Sequence, residues 1–149
     1  MTGQVAWGTR ALGFLDLMPQ AALLTAVAIE PMGGYGIPLV AAYAYAALIL
    51  SFIGGIWWGI AMRREAGQGE LAALAILPAL APLALPLLIM TGSWPTALIV
   101  LGGLIAMTPL VDRRLVANGE VPAGWLALRL PLSLGLGGMT IAAGVLAIR

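Results

Sequence analysis

Only 9% of the 149 residues are charged and 62% are apolar, far outside the balance of a soluble domain, which needs a charged exterior to stay dispersed. Cysteine and histidine are both absent, excluding disulfides, thiolate and imidazole metal sites, histidine-ligated haem and the usual general base near neutral pH. The basic residues are all arginine and the net charge is +1, so an integral membrane protein without a nucleic-acid partner is the class that composition leaves.

Arg10 precedes an apolar run over 11–29, close to the roughly 20 residues that cross a bilayer core. Ala26-Val27-Ala28 is a faint echo of a signal-peptidase site, but the segment is expected to be retained as the first span. A Gly- and Pro-rich turn over 30–38 leads to a second span over 39–62. Arg63, Arg64, Glu65 and Glu70 mark the next loop, followed by a third span over 71–90. The uncharged turn Thr91-Gly92-Ser93-Trp94-Pro95 precedes a fourth span over 96–111. The longest polar stretch, 112–129, carries Asn118-Gly119 and Pro122 as turn signals, and 130–148 forms a fifth span. No long repeat or domain boundary interrupts this pattern. The expected fold is a single all-α bundle of five transmembrane helices.

With the N-terminus in the cytoplasm, Arg10, Arg63, Arg64, Arg113, Arg114 and Arg129 fall inside, and Arg149 alone falls outside. Moving the count by one span would divide the arginine loops between the two faces. An N-in, C-out topology is therefore expected, and an antiparallel dual-topology dimer, which needs a bias near zero, is disfavoured. Trp7, Trp57, Trp58 and Trp125 are expected near the cytoplasmic interface, and Tyr35, Tyr43, Tyr45 and Trp94 near the outer one. Abundant Ala, Gly and Arg without lysine suggest a GC-rich bacterial genome, hence the bacterial cytoplasmic (inner) membrane.

Small residues recur at helical spacing. Ala47, Ser51, Gly55 and Gly59 form one side-chain-poor stripe, and Gly138-x-x-x-Ala142 repeats the theme near the C-terminus. Ser133-x-x-x-Gly137, Thr140-x-x-x-Gly144 and Gly102-x-x-x-Ala106 extend it. Such stripes let helix backbones approach in lipid, where apolar burial gives little force between helices.

Asp16 is the one acid that this division places well inside a span. An intramembrane carboxylate is expensive and calls for a partner, and Arg129, at the head of the fifth span, is the expected one. Arg113 and Arg114 anchor the topology and, with Arg129, offer a site for an anionic lipid headgroup. Pro78, Pro82 and Pro86 free the carbonyls of Leu74, Pro78 and Pro82 on one helix face. Those carbonyls either coordinate a cation or waters, or belong to a bent helix whose neighbours satisfy them; the bent helix is favoured. Ser51, Ser93 and Ser133 have no adjacent base, and no phosphate-binding loop follows a strand. No catalytic residue, cofactor or metal is expected.

The run Leu50-Ser51-Phe52-Ile53-Gly54-Gly55-Ile56-Trp57-Trp58-Gly59 resembles the central signature of the DUF3429 family, whose eukaryotic members are the transmembrane protein 69 group. Leu12-Gly13 with Leu17-Met18-Pro19 resembles that family's opening helix, and Asp112-Arg113-Arg114-Leu115 and Leu128-Arg129-Leu130 resemble its later positions. The resemblance implies a five-helix protein of bacterial membranes, or of the mitochondrial inner membrane in eukaryotes, and supplies no activity. Two departures stand out: Trp57 replaces a frequent histidine, and Asp16 stands where a small residue is usual.

The leading functional expectation is a non-catalytic inner-membrane protein that docks through its small-residue faces. Its expected partners are membrane lipids and either a larger membrane-protein complex, as accessory subunit or assembly factor, or further copies of itself. The alternative is a small oligomeric transporter or lipid-handling protein using Asp16 and the proline-rich third span. A cavity reaching Asp16 or the freed carbonyls would favour that alternative.

Overall fold

The structure, a computed structural model, describes residues 6–29, 36–88 and 94–148, which form seven helices and no strand. These are α1 (Trp7–Leu15), α2 (Leu17–Ile29), α3 (Ile37–Ala61), α4 (Gln68–Leu88), α5 (Trp94–Met107), α6 (Pro109–Ala117) and α7 (Trp125–Leu146). They make five segments long and apolar enough to cross a membrane, because α1 with α2 and α5 with α6 each act as one broken span. Of the expected turns over 30–38 and 91–95, residues 30–35 and 91–93 lie outside the described residues, while Ile37 and Pro38 open α3 and Trp94 and Pro95 open α5.

Proline explains both breaks. Pro19 has no N–H to return to the Leu15 carbonyl, and the first span breaks one residue later, at Asp16. Pro109 likewise frees the Ile105 carbonyl. Thr108 takes it up, donating from its backbone N–H at 3.1 Å and its hydroxyl at 2.8 Å. In the third span, Pro86 frees the carbonyl of Pro82, which accepts the Tyr43 hydroxyl. That contact supports the bent-helix reading, since one of the three freed carbonyls is satisfied by a neighbouring side chain.

Three boundaries differ from those expected by four residues or more, one being the start of the first span at Trp7, which puts Arg10 inside α1. The fourth span runs on to Ala117 and the fifth begins at Trp125, so helix covers most of the stretch 112–129 read as a loop. Asp112-Arg113-Arg114 looked like an exit from the bilayer. In the fold Asp112 turns inward and is fully buried, while Arg113 and Arg114 are exposed.

Close backbone contacts hold the bundle together. The broadest interface joins α5 to α7, followed by that between α3 and α4. A Cβ on Gly102 would sit 2.6 Å from the Gly137 carbonyl oxygen, and one on Gly137 the same distance from that of Gly102. A Cβ on Gly144 would meet the Pro95 carbonyl at 2.6 Å, and one on Gly54 the Ala75 carbonyl at 2.5 Å. Among the described residues each Gly-Gly pair thus divides its labour: Gly54, Gly102 and Gly137 pack, whereas Gly55, Gly103 and Gly138 have no atom within 4 Å of an added Cβ. The stripe through Gly55 and Gly59 therefore faces outward, as does Gly138, while Ala47, Ser51 and Ala142 are half-buried. The face that packs inside the bundle lies one residue away, because adjacent helix positions are separated by about 100°.

This division predicts opposite responses to the same substitution. Gly102→Ala and Gly137→Ala force two backbones apart and should each cost about 1–3 kcal/mol, read as a lower thermal midpoint in detergent. Gly103→Ala and Gly138→Ala should leave the midpoint unchanged or raise it slightly, since alanine favours the helix. Equal losses in the two sets would reject the assignment.

Candidate functional site

Three helices bring a carboxylate, a guanidinium and an indole to one depth. Trp57 lies four residues before the end of α3 at Ala61, Asp112 five before the end of α6 at Ala117, and Arg129 four after the start of α7. At a rise of about 1.5 Å per residue, each sits one to two turns beneath the same end of the bundle. The Trp57 indole Nε1 donates to Oδ1 of Asp112 at 3.0 Å, and Arg129 Nε donates to Oδ2 at 2.9 Å. Asp112 is fully buried and Arg129 about 8% exposed. A carboxylate removed from water is tolerated only when both charge and lone pairs are answered, which these two donors accomplish.

The expected Asp16–Arg129 pair is not formed. Asp16 is exposed at the break between α1 and α2, where its backbone carbonyl accepts the Tyr45 hydroxyl at 2.5 Å. Asp112 takes the guanidinium because it enters the interior from the neighbouring helix at the same depth. Arg113 and Arg114, the candidate headgroup ligands, are exposed and in no ion pair among the described residues.

The cluster borders a half-open cavity of about 450 Å³ lined by α1, α3, α5 and α7, within the range of small-molecule sites. Leu12, Leu17, Phe52, Ile56 and Leu132 supply apolar wall, Asp16 and Thr9 stand on the α1–α2 side, and Arg129, Trp125 and Ser133 supply the polar groups opposite. Arg129 lies 5.9 Å from the centre of the Trp125 ring. Arg129 Nη2 and Trp125 Nε1 are buried and have no hydrogen-bond partner among the described residues. The Ser133 hydroxyl is bonded to that of Thr108 at 3.0 Å. A smaller cleft of about 250 Å³ between α4 and the α5–α6 span is lined by the polar side chains of Trp57 and Thr108, both already engaged, and by Leu74 and Pro78, whose carbonyls the prolines free.

A second polar contact lies deeper. Gln20 Nε2 donates to the Thr140 hydroxyl at 3.0 Å, and that hydroxyl donates to the Leu136 carbonyl at 2.7 Å, tying α2 to α7. At the arginine-rich end, α6 closes in a Schellman turn. Gly119 adopts φ +71°, its N–H reaches the Val116 carbonyl, and the Glu120 N–H reaches that of Leu115. The turn delivers Glu120 to Arg64, whose Nε and Nη2 donate to its two oxygens at 2.6 and 2.7 Å. This bidentate pair joins the α3–α4 loop to the α6–α7 loop. It holds the Glu120 carboxyl below its ordinary range and the Arg64 guanidinium above its own.

Gln20 and Thr108 were not singled out in the sequence, Thr140 was read only as part of a small-residue motif, and Asp112 and Trp57 stood in the family-like stretches without being recognised as partners of Arg129. The available signal was Asp112 three residues after Pro109, a helix first turn where an acid is favoured. Geometry and fold define a class: a five-span helical membrane protein built around a buried carboxylate–guanidinium–indole cluster beside an apolar cavity. Residues 5–145 match the family described as Protein of unknown function (DUF3429), and the chain belongs to that family. No curated protein and no solved structure matches it.

Two predictions follow from these contacts. Asp112→Asn and Arg129→Gln should each cost about 3–5 kcal/mol, with the double mutant well short of their sum, whereas Asp16→Asn should change little. Thermal midpoints in detergent check this, and simple additivity would reject the pair. Glu120 has a folded pKa below its ordinary 4.5, so the stabilisation it contributes is complete above that value and is lost as pH falls through the folded one. Glu120→Gln should accordingly flatten the decline in thermal midpoint below about pH 4.5.

Proposed function

We propose that the protein is a lipid-handling component of a bacterial cytoplasmic membrane, holding an apolar molecule in the cavity walled by α1, α3, α5 and α7. The observation that carries this reading is the cavity itself: about 450 Å³ of mostly apolar wall, with Arg129 and Trp125 at its polar side. A largely apolar recess of this size, with a few polar groups on one side, is the form that small-molecule sites commonly take. Exposed Leu12, Leu15 and Phe52 among the lining residues support an opening that faces lipid rather than water. The positive-inside bias supports an N-in topology, with the polar cluster near the cytoplasmic face.

Docking onto a larger membrane complex, as accessory subunit or assembly factor, is a second reading. It is favoured by Gly55, Gly59 and Gly138, which are exposed and open enough for another helix to approach. The two readings are compatible, but the cavity makes the more specific demand on a ligand.

Purification in mild detergent followed by native mass spectrometry and extraction should recover an apolar small molecule at near-stoichiometric amount. Ile56→Trp, which fills the cavity from α3, should abolish its retention while the protein stays folded by its thermal midpoint. A folded, monodisperse wild type carrying nothing apolar beyond detergent would remove this reading and leave docking.

A further inference from the structure

We infer that the cavity selects a neutral, carbonyl-bearing apolar molecule over an anionic amphiphile, an inference that rests on the proposed cavity-binding function and names the chemistry of its ligand. Arg129 and Trp125 both line the cavity, and each has a buried N–H, Nη2 and Nε1, with almost no accessible surface and without an acceptor among the described residues, so a ligand oxygen reaches them once these side chains turn toward the cavity. Two such donors in an apolar site call for an acceptor oxygen.

Arginine beside a cavity would ordinarily point to a carboxylate or phosphate. Charge balance argues the other way here. The guanidinium is already neutralised by Asp112 at 2.9 Å, and that carboxylate is fully buried. A second anion would leave the cluster with a net negative charge in a region where uncompensated charge is expensive. Asp16, another carboxylate, lines the same cavity and would repel it. A carbonyl oxygen satisfies the donors and adds no charge. Ser133 does not compete for the role of donor, because its hydroxyl is engaged with Thr108. An acyl ester and a quinone ring both present this chemistry, attached to an apolar body that suits the remaining wall.

The test uses the purified full-length chain in maltoside micelles with four probes: monoolein, a decyl-tailed benzoquinone, oleate at pH 9 and hexadecane. Thermal midpoint and native mass spectrometry read binding. At least one carbonyl probe should bind ten-fold or more tightly than oleate or hexadecane, and which one binds distinguishes the ester from the quinone source. Trp125→Phe removes one donor while leaving both partners of Asp112 in place. It should weaken the carbonyl probe by about five-fold, the weight of one hydrogen bond, and leave hexadecane unchanged. Oleate binding as tightly as the carbonyl probes would overturn the charge argument while cavity binding stands. Hexadecane binding as tightly, or an unaffected Trp125→Phe, would overturn the role of the donors. Failure of all four probes would overturn cavity binding as well.

Discussion

Burying the Asp112 carboxylate is the constraint on which the rest of the structure depends. An ionised carboxyl in a bilayer-spanning bundle is among the costliest groups a sequence can carry. Its cost is offset only if donors arrive from elsewhere at the right depth, and here they come from two other helices: Trp57 on α3 and Arg129 on α7. Asp112 on α6 is therefore a three-way register pin. Sliding any one span by a turn, about 5.4 Å, would strand a charge or an indole N–H in a dry interior. Apolar packing in lipid offers no comparable penalty for a wrong register, because one apolar contact substitutes for another.

Backbone groups obey the same accounting. Proline recurs in these helices, and at two places where it frees a carbonyl the structure provides a hydroxyl: Thr108 at Ile105, Tyr43 at Pro82. These hydroxyls do more than repair. Thr108 also meets Ser133 and so fastens α7 beside the break that lets α6 turn Asp112 inward. The kink, its repair and the placement of the carboxylate are one connected arrangement.

Much of the fold was legible because hydropathy and length suffice to count spans. What stayed hidden was which face of each helix turns inward, and hydropathy cannot supply it where lipid and core are equally apolar. The glycine pairs show the limit: Gly54 and Gly55 are indistinguishable by composition, and only the neighbouring helix decides that Gly54 packs. The site was misread for a related reason. A charge triplet at Asp112-Arg113-Arg114 is a strong exit signal when each charge is assigned to water, but only its two arginines are exposed. Placing Asp112 outside the bilayer left Asp16 as the sole candidate for Arg129. The stretches carrying the family resemblance held the missing information, since Leu50–Gly59, Asp112–Leu115 and Leu128–Leu130 supply the three members of the cluster.

The neutrality that makes the cluster tolerable also limits its chemistry. Both oxygens of Asp112 already accept a hydrogen bond, one from the Trp57 indole and one from the Arg129 guanidinium. The guanidinium has answered its charge but not its geometry: five N–H groups in a planar fork exceed what one carboxylate engaged through Nε can accept. Trp125, over whose ring Arg129 lies, adds another donor. A group that is electrically complete yet has donors to spare is suited to orienting an uncharged oxygen rather than to attracting an ion. The interaction that fixes the register of three spans thus also sets the polarity of the cavity beside it.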